Sequence, residues 1–317
     1  MSIRIGVNPL CWMNSDIPDL GKNISVEQCI SEIAFLGYCG VELEDPMRAP
    51  LKKNPSLLSQ RNLELIGGWH SSFLLENSFE EEFEKFKKHL ELLKSYGSKL
   101  VIIADCSFSI HRLVEAPLST KYKEGEVDWK TLCEGLDSFA IFAKKEGMTI
   151  AYHHHMGTIV QNEREIDRLL TGTKELGLLL DTGHLLYAGV EPIRIVDKYF
   201  SRITHCHMKN VRFSLLQKAL EEDYSFPEAI LEGVFTVPGD NSYEDEGGFD
   251  FYPIVRTLYE KGYDAYLVME AEQDPLEADP LAHARLGYSY LRYLVDKASL
   301  SLDFPVRTIR KEKTLIY

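Results

Sequence analysis

One pattern recurs through most of this chain: an amphipathic segment of helical period, a glycine, and then a short apolar run. The glycines are Gly37, Gly97, Gly147, Gly177 and Gly262. Glycine just past the last helical turn adopts the left-handed conformation that closes a helix, and a strand then follows within a few residues. Repeated units of this kind predict a parallel sheet that is covered by helices.

Eight apolar runs are predicted to be strands, with helices between them. The predicted strands span residues 3–8, 40–44, 63–68, 100–104, 149–153, 178–181, 203–207 and 265–270. The predicted helices span 26–36, 79–95, 129–146, 163–171, 192–200, 250–261 and 277–297. Eight such units in 317 residues predict an α/β chain with the (β/α)8 TIM barrel fold. A doubly wound open sheet is the alternative, and it is disfavoured because no glycine-rich phosphate fingerprint follows the first strand.

We expect a single domain over residues 1–300, followed by a peripheral C-terminal tail over 301–317 that could contribute to a homo-oligomer. The net charge of −14 disfavours a nucleic-acid partner and an anionic membrane surface. Met1 to Gly6 runs directly into the first predicted strand, so we expect no leader segment, and no apolar run reaches membrane-spanning length. Six cysteines are scattered without a CxxC pair, which indicates free thiols in a reducing compartment. A cytoplasmic enzyme is therefore expected.

Four predicted strands in the second half of the chain end in side chains that bind metals. These are His153, Asp181, His207 and Glu270. Catalytic residues of a parallel barrel lie at the carboxyl ends of its strands, and imidazole with carboxylate suits a divalent transition metal. A single polar residue at a strand end is more often structural. Four on successive strand ends instead favour one metal site.

Further residues near these strand ends are candidates for contact with a substrate. In the run His153 to His155, alternation places the first and third rings on one face, so His155 could support a ligand or bind a substrate oxygen. His184 lies one helical turn past Asp181. Lys209 shares a face with His207 and could bind an oxygen or act as an acid or base.

The amino-terminal half contributes a second set of candidates. These residues mark the ends of early strands and are together expected to line the cup of the barrel: Asn8 with Trp12, Glu42 with Glu44, Trp69 with His70, and Asp105. Each of these residues, taken alone, is more often structural than catalytic.

Two long segments, 105–127 and 208–249, follow strands, and long loops on this side of a barrel are often functional. Within the second, residues 234–249 are predicted to be a mobile lid, with residues 238–240 near the mouth.

The motifs at these positions resemble the xylose isomerase-like superfamily of sugar isomerases and epimerases. They are His153-His154-His155-Met156-Gly157-Thr158, Asp181-Thr182-Gly183-His184, His205-Cys206-His207-Met208-Lys209-Asn210 and Val268-Met269-Glu270. The opening Gly6-Val7-Asn8-Pro9-Leu10-Cys11-Trp12 and the triple histidine resemble more specifically the inosose dehydratases of myo-inositol catabolism. The resemblance covers nearly the whole chain.

The resemblance implies a metal set of Glu, Asp, His and Glu, in which His153 replaces the first glutamate. Isomerases and epimerases of the superfamily use two metal-bound carboxylates as acid and base, so this replacement favours a lyase. The implied reaction is loss of water from a small polyhydroxy ketone, 2-keto-myo-inositol, to give a trihydroxycyclohexane dione. Mn²⁺ or Co²⁺ is the implied cofactor, and the ligand types also suit Zn²⁺ or Fe²⁺.

The roles of individual residues stay open at this stage. Glu270, His155 and Lys209 are each candidates for the base that removes the carbon-bound proton. His70 or His184 could protonate the departing hydroxide. Two alternative functions also remain: an isomerase or epimerase of the same fold, and a barrel that binds a sugar without turnover.

Overall fold

Short parallel strands form the centre of the protein. The computed structural model describes residues 3–241 and 248–303. The central strands are β1 (Arg4–Val7), β2 (Gly40–Leu43), β3 (Glu64–Ser72), β4 (Leu100–Asp105), β5 (Thr149–His153), β6 (Gly177–Asp181), β7 (Ile203–Met208) and β10 (Tyr266–Met269). Each of these pairs with its chain neighbour, and β1 also pairs with β10, which closes the barrel. The predicted (β/α)8 TIM barrel is confirmed.

Helices surround the barrel. They are α1 (Val26–Leu36), α2 (Arg48–Lys53), α3 (Phe79–Ser95), α4 (Trp129–Lys145), α5 (Glu163–Gly172), α6 (Thr182–Tyr187), α7 (Pro192–Tyr199), α8 (Phe213–Glu221), α9 (Phe226–Leu231), α10 (Tyr252–Glu260) and α11 (Pro280–Asp303). Ser25, Ser78 and Asn162 cap α1, α3 and α5 by accepting a backbone N–H bond. Single 3₁₀ turns span Pro9–Cys11, Asp45–Met47, Ser59–Arg61, Leu118–Thr120, Glu124–Glu126 and Phe200–Arg202.

The seven predicted helices are all present, with ends that differ by a few residues. Helices α2, α6, α8 and α9 were not predicted, because segments of six to nine residues carry too little periodic pattern to identify. The last helix extends to Asp303, and residues 304–317 of the predicted tail lie outside the described residues. The role of that tail therefore stays a prediction.

Strand β3 is longer than predicted, and its length changes the positions of two aromatic side chains. Trp69 and His70 lie within the strand, in register with Ile102 and Ile103 of β4. Adjacent residues of a strand point to opposite faces. The Trp69 ring consequently reaches the barrel interior, whereas the His70 ring packs against Phe86 of α3.

The long segment after β7 is folded. It contains α8, α9 and a small antiparallel pair, β8 (Asn210–Val211) with β9 (Phe235–Thr236). The Asn210 side-chain amide donates to the backbone oxygen of Asp240 at 3.2 Å, which places Asp240 beside the segment that follows β7. The approach of residues 238–240 to the mouth stays a prediction. Residues 242–247 of the predicted lid lie outside the described residues. Lid motion stays a prediction.

The interior of the barrel is apolar towards the amino ends of the strands. The side chains that fill it are Ile66, Leu100, Ile102, Ala151, Leu179, Tyr266 and Val268. This layer closes the barrel from below, so that the polar side chains collect above it at the carboxyl ends. Within the described residues, no helix combines the length and the apolarity needed to cross a membrane.

Gly177 does not close a helix as predicted: α5 ends at Gly172, and Gly177 is the first residue of β6 and is not among the glycines with positive φ. It is instead a point of close approach between strands. A Cβ atom there would lie 2.4 Å from the Ile150 backbone oxygen and 2.5 Å from the Thr204 hydroxyl oxygen. Because the backbone of β5 cannot move aside without disturbing the barrel, we expect Gly177→Ala to destabilise the fold by about 1–3 kcal/mol. Gly125→Ala is the matched control, since its Cβ would have no atom within 4 Å. Equal urea midpoints for the two variants would contradict this account.

Candidate active site

A cavity opens at the carboxyl end of the barrel. Its volume is about 720 Å³, including its open mouth. Five of the predicted site residues line it, namely Asn8, His153, His155, His207 and Glu270. The chain therefore folds so that residues far apart in sequence share one polar chamber, at the end of the barrel where active sites of this fold lie.

The triple histidine alternates as predicted. His153 and His155 line the cavity, whereas the Nε2 atom of His154 accepts the backbone N–H of Asp181 at 3.2 Å. The His153 Nδ1 atom lies 2.7 Å from its acceptor, the backbone oxygen of His154, and the His155 Nδ1 atom is similarly bonded to the Met156 oxygen at 2.9 Å. With the proton on Nδ1, each neutral ring presents the lone pair of Nε2. Burial lowers the pKa of His153 to about 4, which keeps that ring neutral.

Asp181 is both the last residue of β6 and the N-cap of α6. Its Oδ1 atom accepts the backbone N–H of His184 at 2.8 Å. Its other oxygen, Oδ2, is buried and has no hydrogen-bond partner in the described chain. A buried carboxylate oxygen without a hydrogen-bond partner raises the free energy of the folded state. The position of Asp181 Oδ2 therefore needs an explanation.

Two imidazole groups approach this oxygen, and a second carboxylate approaches one of them. The distances to Asp181 Oδ2 are 3.6 Å from His153 Nε2 and 3.5 Å from His207 Nδ1. Glu270 Oε2 lies 2.7 Å from the same His207 nitrogen, which is buried and forms no hydrogen bond within the described residues. Ligand atoms that surround one transition-metal ion at ~2.1 Å are typically ~3–3.5 Å apart. The four atoms thus have the chemistry and most of the spacing of a divalent-metal site.

His184 lies beside this group and shares its neighbourhood with His153, Asp181 and Glu270. Both of its ring nitrogens already have neighbours: Nδ1 accepts the Met156 backbone N–H at 3.3 Å, and Nε2 is 3.2 Å from Lys209 Nζ. His207 has an unpartnered nitrogen, so the contacts favour His207 over His184 as a metal ligand.

Lys209 is completely buried and lies among acidic groups. Its Nζ atom is 2.6 Å from Glu270 Oε1, 2.8 Å from Glu272 and 3.7 Å from Asp181 Oδ2. Burial alone lowers the pKa of the amine, but the neighbouring carboxylates of Asp181, Glu270 and Glu272 outweigh burial and raise it above its usual value. The amine is therefore a protonated hydrogen-bond donor at neutral pH.

Glu42 connects the early strands to this centre. Its Oε1 atom lies 2.6 Å from His205 Nε2 and 3.1 Å from His207 Nε2, and its Oε2 atom accepts the Asn8 amide at 2.9 Å. A carboxylate on the second nitrogen of a metal-binding histidine fixes the ring and raises its basicity. Asn8 thus lines the cavity and also holds Glu42 in place.

Of the five predicted substrate contacts, Asn8 lines the cavity, and His184 and Lys209 lie buried beside Asp181 and Glu270. Trp12 and His70 lie elsewhere. The Trp12 indole is buried and donates to Glu32 of α1 at 2.6 Å. The His70 ring packs between Phe86 and His89 on the outer face of the barrel. Their proposed contacts with a substrate gain no support from the structure.

Glu44 and Glu272 are buried carboxyl groups that line the cavity. Glu44 was among the residues expected to line the cup of the barrel, whereas Glu272 was not selected from the sequence. Glu272 follows Glu270 by two residues, the spacing that places side chains on the same side of an extended segment. Burial raises its pKa to about 7. Two pairs of glutamates are spaced two residues apart at strand ends, Glu42 with Glu44 and Glu270 with Glu272. This spacing places both side chains of a pair on one side, but it does not tell whether that side faces the cavity or the surface.

Comparison with known proteins agrees with this geometry. Residues 30–294 match the family described as the xylose isomerase-like TIM barrel. An inosose dehydratase from Clostridium perfringens is 38% identical over 92% of this chain and 97% of its own length. The rhizopine catabolism protein MocC from Rhizobium meliloti is 39% identical over 96% of this chain and 92% of its own.

A solved structure of the IOLI protein with a bound zinc atom has a similar fold. The TM-score is 0.66 at 16% identity, and the match covers 93% of this chain and 99% of that one. At this identity the similarity concerns the fold alone. The assignment of this chain to a family rests instead on the family match and on the relatives that are similar in sequence. The chain therefore belongs to the xylose isomerase-like TIM barrel family and, within it, to the family of the inosose dehydratases.

Proposed function

We propose that this protein is a metal-dependent dehydratase that removes water from 2-keto-myo-inositol to give a trihydroxycyclohexane dione. The name and the coverage of the inosose dehydratase relatives support this substrate. The observation that carries the proposal is the convergence of His153, Asp181, His207 and Glu270 around two buried atoms that lack hydrogen-bond partners.

The proposed metal ligands are His153 Nε2, Asp181 Oδ2, His207 Nδ1 and Glu270 Oε2. Mn²⁺ or Co²⁺ is proposed, and the zinc in the IOLI structure shows an ion that a protein of this fold binds. When bound, a divalent ion supplies Lewis acidity to the ketone oxygen and stabilises the negative charge that forms on it.

Glu270 is the proposed base for the proton next to the carbonyl group. One of its oxygens faces the His207 nitrogen and the other faces Lys209, so ligation and proton transfer can use different atoms. Because its pKa is raised, Lys209 acts as a donor to substrate oxygen and not as a base. His184 orients the Lys209 amine through its 3.2 Å contact. His155 presents Nε2 to the cavity and is proposed to hold a substrate hydroxyl group.

Elimination fits these residues better than epimerisation. An epimerase needs acid–base groups on both faces of one carbon atom. His153 stands where the superfamily has a second carboxylate, and its two nitrogens face the His154 oxygen and Asp181. With the Nδ1 proton donated to the His154 oxygen and the Nε2 lone pair given to the proposed metal ion, this ring could not serve as a second base.

The direct test is incubation of the metal-loaded protein with 2-keto-myo-inositol in D₂O, followed by NMR. We expect the dione to form without an epimerised ketone. The same protein stripped of metal is the control and should be inactive. An epimer that accumulates without dione would establish the isomerase or epimerase alternative, and binding of the ketone without any turnover would establish the non-catalytic one.

Asp181→Ala should abolish tight metal binding while the fold is retained. The substitution removes the oxygen on which His153 and His207 converge. Metal content after dialysis measures the effect, and circular dichroism checks the fold. Asp19→Ala is the matched control, because Asp19 is a surface residue paired with Lys22. Unchanged metal content in Asp181→Ala would exclude this residue as a ligand.

Glu42→Gln should weaken metal binding by about 10–100-fold, the usual effect of altering the partner of a metal-binding histidine. Glutamine keeps the shape of the side chain but removes the charge that faces His207 and His205. Competition with a chelator measures the affinity. Glu64→Gln, an exposed position paired with Arg4, is the control, and equal affinities in the two variants would contradict a role of Glu42 in the metal centre.

A further inference from the structure

Glu44 is a buried acid on the cavity wall that the metal centre does not use. It follows β2 directly, and only 8% of the residue is exposed. It lines the same cavity as His153 and Glu270. A carboxyl group in this position can reach a bound substrate from a side that the metal ligands do not occupy.

The hydrogen bonding of Glu44 leaves one of its oxygens available. Its Oε2 atom is in close contact with the Ser15 hydroxyl group. Its Oε1 atom has no hydrogen-bond partner within the described residues. This oxygen is also not fully enclosed by protein atoms. Since the cavity is the solvent space that Glu44 lines, this oxygen is open to the cavity.

The surroundings of Glu44 favour its uncharged form. Burial is the largest cause, and the nearby charges of Asp16, Asp45 and Glu270 add to it, so that the pKa of Glu44 rises to about 8 despite the Ser15 contact. The two arginines on the cavity wall do not offset this, because Arg48 pairs with Asp45 and Arg112 pairs with Asp16. Glu44 thus keeps its proton at neutral pH.

We propose that Glu44 is the general acid that protonates the departing hydroxyl group, an inference that rests on the dehydratase function proposed above. Removal of the proton next to the carbonyl group leaves an enolate. Its electron pair forms the new C=C bond as the C–O bond on the next carbon breaks. The Glu44 proton moves to the departing oxygen, which leaves as water, and the Glu44 carboxylate is protonated again by solvent.

Glu44→Gln separates the two halves of this reaction, because it removes the acidic proton but leaves the proposed base in place. The metal-loaded variant is incubated with 2-keto-myo-inositol in D₂O, and NMR follows both dione formation and deuterium uptake next to the carbonyl group of the remaining ketone. We expect dione formation to fall by about 10²–10⁴-fold, the usual range for a general acid. Deuterium uptake should persist, since the enolate still forms and returns to ketone. Glu64→Gln is the matched control.

Dione formation at the unchanged rate in Glu44→Gln would overturn the proposal. So would parallel loss of dione formation and deuterium uptake in a folded, metal-loaded variant, because Glu44 would then act before or during removal of the carbon proton. Glu44→Asp, which keeps an acid at a greater distance, gives the same comparison if the glutamine variant does not fold, and it should slow elimination more than exchange. If the unchanged protein yields neither dione nor exchange, the proposed dehydratase function fails independently of Glu44.

Discussion

The contact between one buried ammonium group and three carboxylates organises the carboxyl end of this barrel. Lys209 lies on the extension of β7, Asp181 ends β6, and Glu270 and Glu272 follow β10. A buried charge without a partner costs several kcal/mol, so each of these groups depends on the others. The three strand ends must be held in register for the charges to meet, and closure of the barrel provides that register.

The apolar layer below makes this arrangement possible. Ile102, Leu179 and Val268 form a buried apolar layer in the barrel interior. Charges beside such a layer act across a medium of low polarity. Hydrogen bonds to the backbone then fix each ring. His153 and His155 bind neighbouring carbonyl oxygens through Nδ1, and these bonds hold both candidate rings in fixed orientations.

The cavity has two walls of different electrostatic character. On one wall, Lys209 and the histidines pair with Asp181 and Glu270, and these contacts hold the pKa of both carboxyl groups below the usual range although burial opposes it. On the other wall, Glu44 forms no ion pair with a cationic side chain in the described part of the chain, and burial raises its pKa. Carboxyl groups whose pKa values are driven apart within one site can act as base and acid at the same pH. A dehydratase needs this combination.

The sequence by itself determined the fold class and the set of candidate metal ligands, because both depend on local patterns. Helix, glycine and strand recur along the chain, and His153, Asp181, His207 and Glu270 each stand at the end of an apolar run. Only the tertiary structure decided which neighbours these side chains meet. It turned His70 outwards, because β3 continues past the predicted end and alternation then fixes its face. It brought Glu42 to His207 across 165 positions of the chain. Burial and pairing are properties of the closed barrel, and no pattern within a short stretch of sequence contains them.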